Sequence, residues 1–356
     1  MDYALSDGSG TAACEQDRWR KEIVVPDLTI TSVPGIKLGH AQDEEALTGC
    51  TVVLCENGAV AGVDQRGGAP GTRETDLLRP MHMVEKVHAL VLSGGSAYGL
   101  DAASGVMRYL EEQKIGFHVQ VAKVPIVPAA VLFDLALGKA DVRPDAEMGY
   151  TACLCASNDR AAEGNVGAGM GASVGKIFGM AGAMKAGIGS AAVDLGGGVV
   201  VGAVIAVNAF GDVFDPQTGR ILAGARPARI GPLKFGGDGA FADTLATMKS
   251  TAGKTTLKLA MKANTVIGVV ATNAALTKEE ANKVAQMSQD GLARVIRPAH
   301  TMLDGDTIFA CSTGSKKADV NIIGAYAAEV VAESIIRAVQ QAVSLGNLPA
   351  AADYQP

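Results

Sequence analysis

The residues of this 356-residue chain that could do chemistry are few, and they stand apart among small apolar neighbours. Lys176 follows a stretch of Gly, Ala and Ser, so it is placed to enter an apolar pocket where desolvation lowers an ammonium's pKa. On its own, a solvated surface lysine is the simpler reading. Asn208 closes the most apolar run of the chain, Gly198 to Val207, and precedes Ala-Phe-Gly-Asp212. It reads either as a turn residue or as an amide donor for an oxyanion. Asp304-Gly-Asp306 contains a common turn pair, but two carboxylates two residues apart at the mouth of an apolar strand exceed what a turn needs. Gly171-Ala-Ser173-Val-Gly175 has the spacing of a nucleophile elbow, which requires a buried strand before it. Gly164 to Met170 is too glycine-rich for that strand, and only His300 follows to act as base.

Other patterns fail on their own terms. A phosphate loop ending in Gly175-Lys176 would need Gly where Met170 stands and Ser or Thr where Ile177 stands. Gly187-Ile-Gly189-Ser-Ala-Ala192 has dinucleotide-loop spacing, but no strand pattern precedes it, so it reads as a turn. The five histidines show no metal-ligand spacing. Cys153 and Cys155 fall in a strand-like run that places both on one face, without a second pair to complete a zinc site. Neither a metal nor an organic cofactor is expected.

The elements that must position these residues alternate between two periods. Cys50–Leu54, Val87–Leu92, Gly198–Val207, Thr265–Thr272 and Thr307–Cys311 read as strands, rich in β-branched residues and bounded by Gly or Asn. A first helix starts near Tyr98, carries Ala102, Val106 and Leu110, and stops at Gly116. A second opens on the capping box Thr277-Lys-Glu-Glu280 and carries Ala281, Val284, Ala285, Met287 and Leu292. A third runs from about Ala325 to Ser344, with Val331, Ile335, Ala338 and Ala342 on one stripe and Gly346 as its C′ residue. Between Arg220 and Lys262 lie eight basic residues and only two acidic ones, Asp238 and Asp243. This reads as a long exposed excursion. It feeds straight into an apolar strand at Asn264-Thr265, an unusual junction.

Composition narrows the class. With 44 Gly, 4% aromatic residues and 48% hydrophobic residues, many of them Ala and Val, the core must rely on close backbone approach. A net charge of −6 argues against a nucleic-acid surface. No apolar run reaches membrane-spanning length, and the first 22 residues lack a signal-peptide core. The expected setting is the cytoplasm, with the six cysteines as buried free thiols.

Taken in order, Pro34–His40, Val63–Gly71, Leu92–Leu100, Gly167–Lys176, Val207-Asn208, Asn264-Thr265 with Thr272-Asn273, and Asp304–Phe309 resemble one family. It is that of the self-processing N-terminal-nucleophile amidohydrolases, which includes the D-aminopeptidases, β-peptidyl aminopeptidases and nylon-oligomer (6-aminohexanoate-oligomer) hydrolases. The resemblance covers roughly residues 30 to 345. It implies an α+β fold, a layered αββα sandwich of the D-aminopeptidase/ornithine acetyltransferase-like type. One compact domain would be built from two autocleaved subunits, a large one (25–264, after a mobile arm, 1–24) and a small one (265–356). The chain would cut itself at Asn264–Thr265, and Thr265 would become the nucleophile. Lys176 would set positive charge beside it, Asn208 would donate to the oxyanion, and Asp306, supported by Asp304, would orient the hydroxyl or accept its proton.

Threonine, with Asp-x-Asp in place of the aminopeptidase branch's Ser-x-Glu, looks like the nylon-oligomer branch. Tyr98 and Phe133 fall at substrate-binding positions, Phe133 where the family has a tyrosine. The glycines crowd residues 62 to 71, 94 to 105 and 164 to 189, and few aromatics are available, which favours slim aliphatic amides. The implied partners are a small amide or oligomer substrate and further copies of the chain in a homotetramer, with neither nucleic acid nor membrane. Alternative readings are a β- or D-aminopeptidase, an acyltransferase like the glutamate N-acetyltransferases that also mature before a threonine, and an unprocessed binding protein.

Overall fold

The computed structural model describes residues 27–230, 233–250, 253–254, 257 and 264–354. The expected arm (1–24), Cys14, Lys258 and Lys262 lie outside the described residues. The elements that build the frame are β1 (Lys37–Asp43), β2 (Thr48–Gln65), β3 (Thr72–Arg73), β4 (Val87–Ser93), α1 (Ala102–Glu112), β5 (Ala129–Val131) and α2 (Ala146–Leu154). There follow β6 (Ser173–Val174), β7 (Met184–Lys185), β8 (Ile188–Asp194), β9 (Val200–Asn208), β10 (Thr265–Ala274), α3 (Lys278–Val295), β11 (Thr307–Lys316) and α4 (Val320–Gln340).

Nine strands make one mixed sheet in the order β8-β9-β10-β11-β2-β4-β5-β3, with β1 also on β2. The β10/β11 and β4/β5 pairs are parallel and the others antiparallel. β2 joins two wings, because Cys50–Leu54 pair with β4 while Val60–Gln65 pair with β11. Successive side chains of a strand point to opposite faces, and here both faces are apolar. Leu90 and Leu92 of one wing share a buried core with Val204, Ala206, Ile267, Val269 and Phe309 of the other. The alternate residues Ala203, Ile205, Val207, Val266 and Ile308 pack on Val284 and Leu292 of α3 and Val331 and Ile335 of α4. On the far side, Val52, Leu54, Ala89 and Val91 pack on Ala102, Val106 and Leu110 of α1 and on Cys153 of α2. The outcome is the expected helix–sheet–sheet–helix stack in a mixed α+β fold.

Several local expectations need correction. Tyr98 lies in a 3₁₀ turn, Ser96–Asp101, and α1 begins only at Ala102. The Cys153–Cys155 run is the end of helix α2, capped by Asp145 accepting from the Met148 N–H at 2.9 Å. Residues two apart on a helix diverge, so Cys153 is buried while Cys155 is exposed. Gly187–Ala192 enters strand β8, with Gly189 paired to Ile205. Glycine fits there because a Cβ would sit 2.1 Å from the Ser334 carbonyl of α4. Helix α4 starts at Val320, where Asp319 accepts from the Asn321 N–H, and ends at Gln340, so Gly346 is a turn residue beyond it.

The described part of the basic excursion is also structured. It holds strands Ile221–Ala223, Ala228–Ile230 and Leu233–Phe235 and a helix, Thr244–Lys249. The buried Asp212 carboxylate ties it down through the N–H groups of Ala225 (2.7 Å) and Thr244 (2.6 Å). Among the described residues, no helix is long and apolar enough to cross a membrane.

Candidate active site

Thr265 opens β10 and Asn208 closes β9, and the antiparallel register sets them opposite one another. Asn208 shares the phase of Val204 and Ala206, and Thr265 that of Ile267 and Val269, so both side chains leave on the side between the sheets. The preceding residue, Asn264, bridges to Asp304, and its carbonyl accepts the Gly305 N–H at 2.9 Å. The Thr265 hydroxyl donates to the same carbonyl oxygen. Both residues are buried.

Lys176 enters from the loop after β6. Its ammonium donates to the Asn208 carbonyl at 3.1 Å and to Oδ1 at 2.5 Å. Because an ammonium only donates, Oδ1 must face it, which turns the Asn208 amide nitrogen toward the Phe133 carbonyl at 2.8 Å. Burial pulls Lys176 down to about 7, against the attraction of Asp304 and Asp134. Ser173, the rejected elbow serine, is buried on β6 and donates its N–H to Asn208 Oδ1 at 3.2 Å.

The two aspartates do more than turn the chain. Asp306 Oδ1 accepts the Val266 N–H at 2.9 Å, next to Thr265. Asp304 accepts from the Phe210 N–H at 3.2 Å and from the Thr301 N–H and hydroxyl at 3.0 and 2.5 Å. Burial, and then the Asp306 charge, push Asp304 up to about 6. A cavity of about 140 Å³ opens onto Thr265 and Asn264, walled by Ala69, Pro70, Ser96 and Phe133. Phe133 also lines a narrow pocket with Lys176 and Ser173. Tyr98 is 63% exposed, its ring stacked under the Arg143 guanidinium at 4.1 Å, beside the wall residues Ser96 and Ala97.

Two residues of this neighbourhood escape a reading of the sequence, and a third, His300, enters it only as the base left over for the elbow. Lys185 is fully buried, bonded to the carbonyls of Gly169, Ala172 and Ala186, and burial lowers it to about 7. Asp134 is raised by burial and accepts from the Thr48 hydroxyl and the Gly95 N–H, both at 2.7 Å. His300 grips Asp306. Among the described residues, no cluster of His, Cys, Asp and Glu has the form of a metal site.

Comparison with known proteins bears on this arrangement. A family model described as peptidase family S58 matches residues 29–350. The chain belongs to peptidase family S58. S58 membership makes it a hydrolase of amide bonds. An uncharacterised aminopeptidase of Mycobacterium leprae is 43% identical over 92% of this chain and 94% of its own length. The 6-aminohexanoate-oligomer endohydrolase of a Kocuria species is 32% identical over 86% of this chain and 84% of its own. Among solved structures, a Burkholderia β-aminopeptidase overlays with a TM-score of 0.65 at 19% identity, covering 93% of this chain and 94% of that one. The L-aminopeptidase D-Ala-esterase/amidase of Ochrobactrum anthropi, described as a variant of the Ntn-hydrolase fold, gives 0.68 at 17% identity over 92% and 90%. The S58 chain therefore has this fold.

Proposed function

We propose that this S58 hydrolase cuts itself between Asn264 and Thr265, and that the freed Thr265 hydrolyses linear aliphatic amides or peptides through an acyl-enzyme. The observation that carries the reading is the Thr265 hydroxyl resting on the carbonyl of the bond before it, with the Gly305 N–H on the same oxygen. In the cut, Thr265 Oγ adds to the Asn264 carbonyl carbon while Gly305 stabilises the oxyanion. The C–N bond breaks, its nitrogen takes the proton and becomes the Thr265 α-amine, and water hydrolyses the ester.

That amine, with an ordinary pKa near about 8, is the base for turnover. It takes the hydroxyl proton as Oγ attacks the substrate carbonyl and returns it to the leaving amine. Asn208 lies across the strand pair from Thr265 with the Lys176 amine bonded to it, and Asp304 and Asp306 hold the backbone around the nucleophile. The products would be subunits 25–264, with any arm, and 265–356.

The relatives named 6-aminohexanoate-oligomer endohydrolases and the small side chains of the cavity favour extended aliphatic amides. The more similar relatives named aminopeptidases favour short peptides as the second reading. A denaturing gel with intact mass tests the core claim. Apportioning 36.2 kDa over 264 and 92 residues gives pieces of about 27 and 9 kDa. Thr265→Ala should stay uncut and inactive, whereas Thr265→Ser should still process. A single uncut species that hydrolyses amides sinks the proposal. Loss of turnover in Ser173→Ala with full activity in Thr265→Ala would move the nucleophile to the elbow. Release of acid at the same rate with and without an added amino-acid acceptor separates hydrolysis from acyl transfer.

A further inference from the structure

Asp306 reaches the start of β10 through one bond, from the Val266 N–H to Oδ1. Its other oxygen is held twice by one residue, since Oδ2 accepts the His300 N–H at 3.1 Å and lies 2.8 Å from His300 Nδ1. A carboxylate only accepts, so Nδ1 carries the ring proton that lies between them. Nε2 is buried and has no hydrogen-bond partner among the described residues. His300 also has φ +56°, in the left-handed region that residues other than glycine enter seldom, histidine more readily than most.

The turn has a visible result. Thr301, the next residue, gives its own N–H and hydroxyl to Asp304. Two consecutive residues thus each supply one backbone and one side-chain donor to one of the two carboxylates. An unpartnered ring nitrogen and an uncommon φ are tolerated where they aim this double grip.

We infer that His300 is a positioning residue: it fixes the Asp306 carboxylate so that Asp306 can hold Val266, and through it the Thr265 nucleophile. The inference rests on the self-cleavage reading, and it gives His300 a role that grows after the cut. In the intact chain Thr265 is held from both sides by covalent bonds. Once the Asn264–Thr265 bond is broken, Thr265 is a chain end, kept in place by its pairing with Asn208 and by the bond from Val266 to Asp306. A loosened Asp306 then misplaces the nucleophile during every turnover, while the single intramolecular cut is less sensitive.

The test uses the full chain with a 6-aminohexanoate oligomer and alanine p-nitroanilide as amide probes. Glycine at 300 accepts the left-handed backbone but lacks the ring donor. Asparagine tolerates the same backbone and carries an N–H near the Nδ1 position. His300→Gly should still cut itself, yet turn over about 100-fold more slowly with KM changed less than about threefold, as expected for a misplaced reacting group. His300→Asn should recover to within about tenfold of the parent. If His300→Gly is recovered unfolded, His300→Asp replaces it, having the shape of Asn but only acceptors there at neutral pH. Turnover at the parent rate in the donor-less variant, or His300→Asn as slow as that variant, overturns the role. A parent that remains uncut overturns the reading beneath it as well, whereas a cut parent matched by His300→Gly overturns the positioning role alone.

Discussion

Gly305 lies between two backbones, and a Cβ added there would stand 2.3 Å from the Ala69 carbonyl oxygen and 2.9 Å from Thr265 Oγ1. Contacts that short cannot be relieved without moving backbone, and the same residue supplies the N–H to the Asn264 carbonyl. Gly305→Ala is therefore expected to slow self-cleavage by about 100-fold, the scale of a lost oxyanion donor or a misplaced group. Gly239→Ala, where the added Cβ meets only a 3.4 Å contact, should cut like the parent. A time course on denaturing gels checks both, and equal rates would remove Gly305 from the cleavage geometry. At this scale the site was legible only in part. Lys176 and Asn208 each admit a plain structural reading on their own, and it is the ordered resemblance that joins them, Thr265 and the two aspartates into one candidate site. His300 and Lys185 fall outside it, because their partners are a carboxylate six residues on and three backbone carbonyls, and neither composition nor period encodes such contacts.

At the scale of elements, strand β8 and helix α4 are joined by charge as well as by packing. Glu163 Oε1 accepts Arg337 Nε at 2.7 Å and the Ser190 N–H at 2.9 Å, and its Oε2 also bonds the Arg337 guanidinium. The glutamate side chain is 4% and the arginine 10% exposed, so removing Arg337 leaves a buried carboxylate with only Arg160, at 3.2 Å, and the Ser190 N–H among the described residues to offset its charge. Arg337→Met should cost about 3–5 kcal/mol, and the Glu163→Gln/Arg337→Met double variant less than the sum of the two single changes. Thermal unfolding of the three variants checks this, and strict additivity would show that the pair is not coupled. The three longest helices among the described residues were readable from their patterns, as the Thr277–Glu280 box shows, with Glu280 Oε2 2.9 Å from the Thr277 N–H, whereas α2 reads as strand and β8 as turn. Misreadings came where an outside contact decides and where a local cap sets the boundary. Gly189 is a strand residue because α4 crosses it, and α4 begins early because Asp319 caps it.

Over the whole molecule, what composition concealed most is the amount of charge carried into an apolar interior. Burial lowers Lys176 and Lys185 from an ordinary 10.5 to about 7, and raises Asp212 and Asp304 from 3.8 to about 6. The signs follow from proton counts. Between about pH 7 and 10.5 the unfolded chain holds more protons on these lysines than the folded one, so their contribution to stability rises with pH. Between 3.8 and about 6 the folded chain holds more protons on these aspartates, so theirs falls as pH rises. Together the four groups place a trough near neutrality. Lys185 offers the cleanest test, since it touches carbonyls rather than the nucleophile. In the uncut Thr265→Ala background, Lys185→Met lacks the alkaline gain that Lys185 itself contributes. The stability difference between parent and variant should widen from pH 7 to 9, by at most ~1.4 kcal/mol per pH unit, the limit for one proton. Denaturant melts at several pH values read that slope independently of the fixed cost of three carbonyls losing their donor. A difference that stays constant across the range would mean that Lys185 keeps its proton in the folded interior well above neutrality, held by its three carbonyls more strongly than burial opposes it.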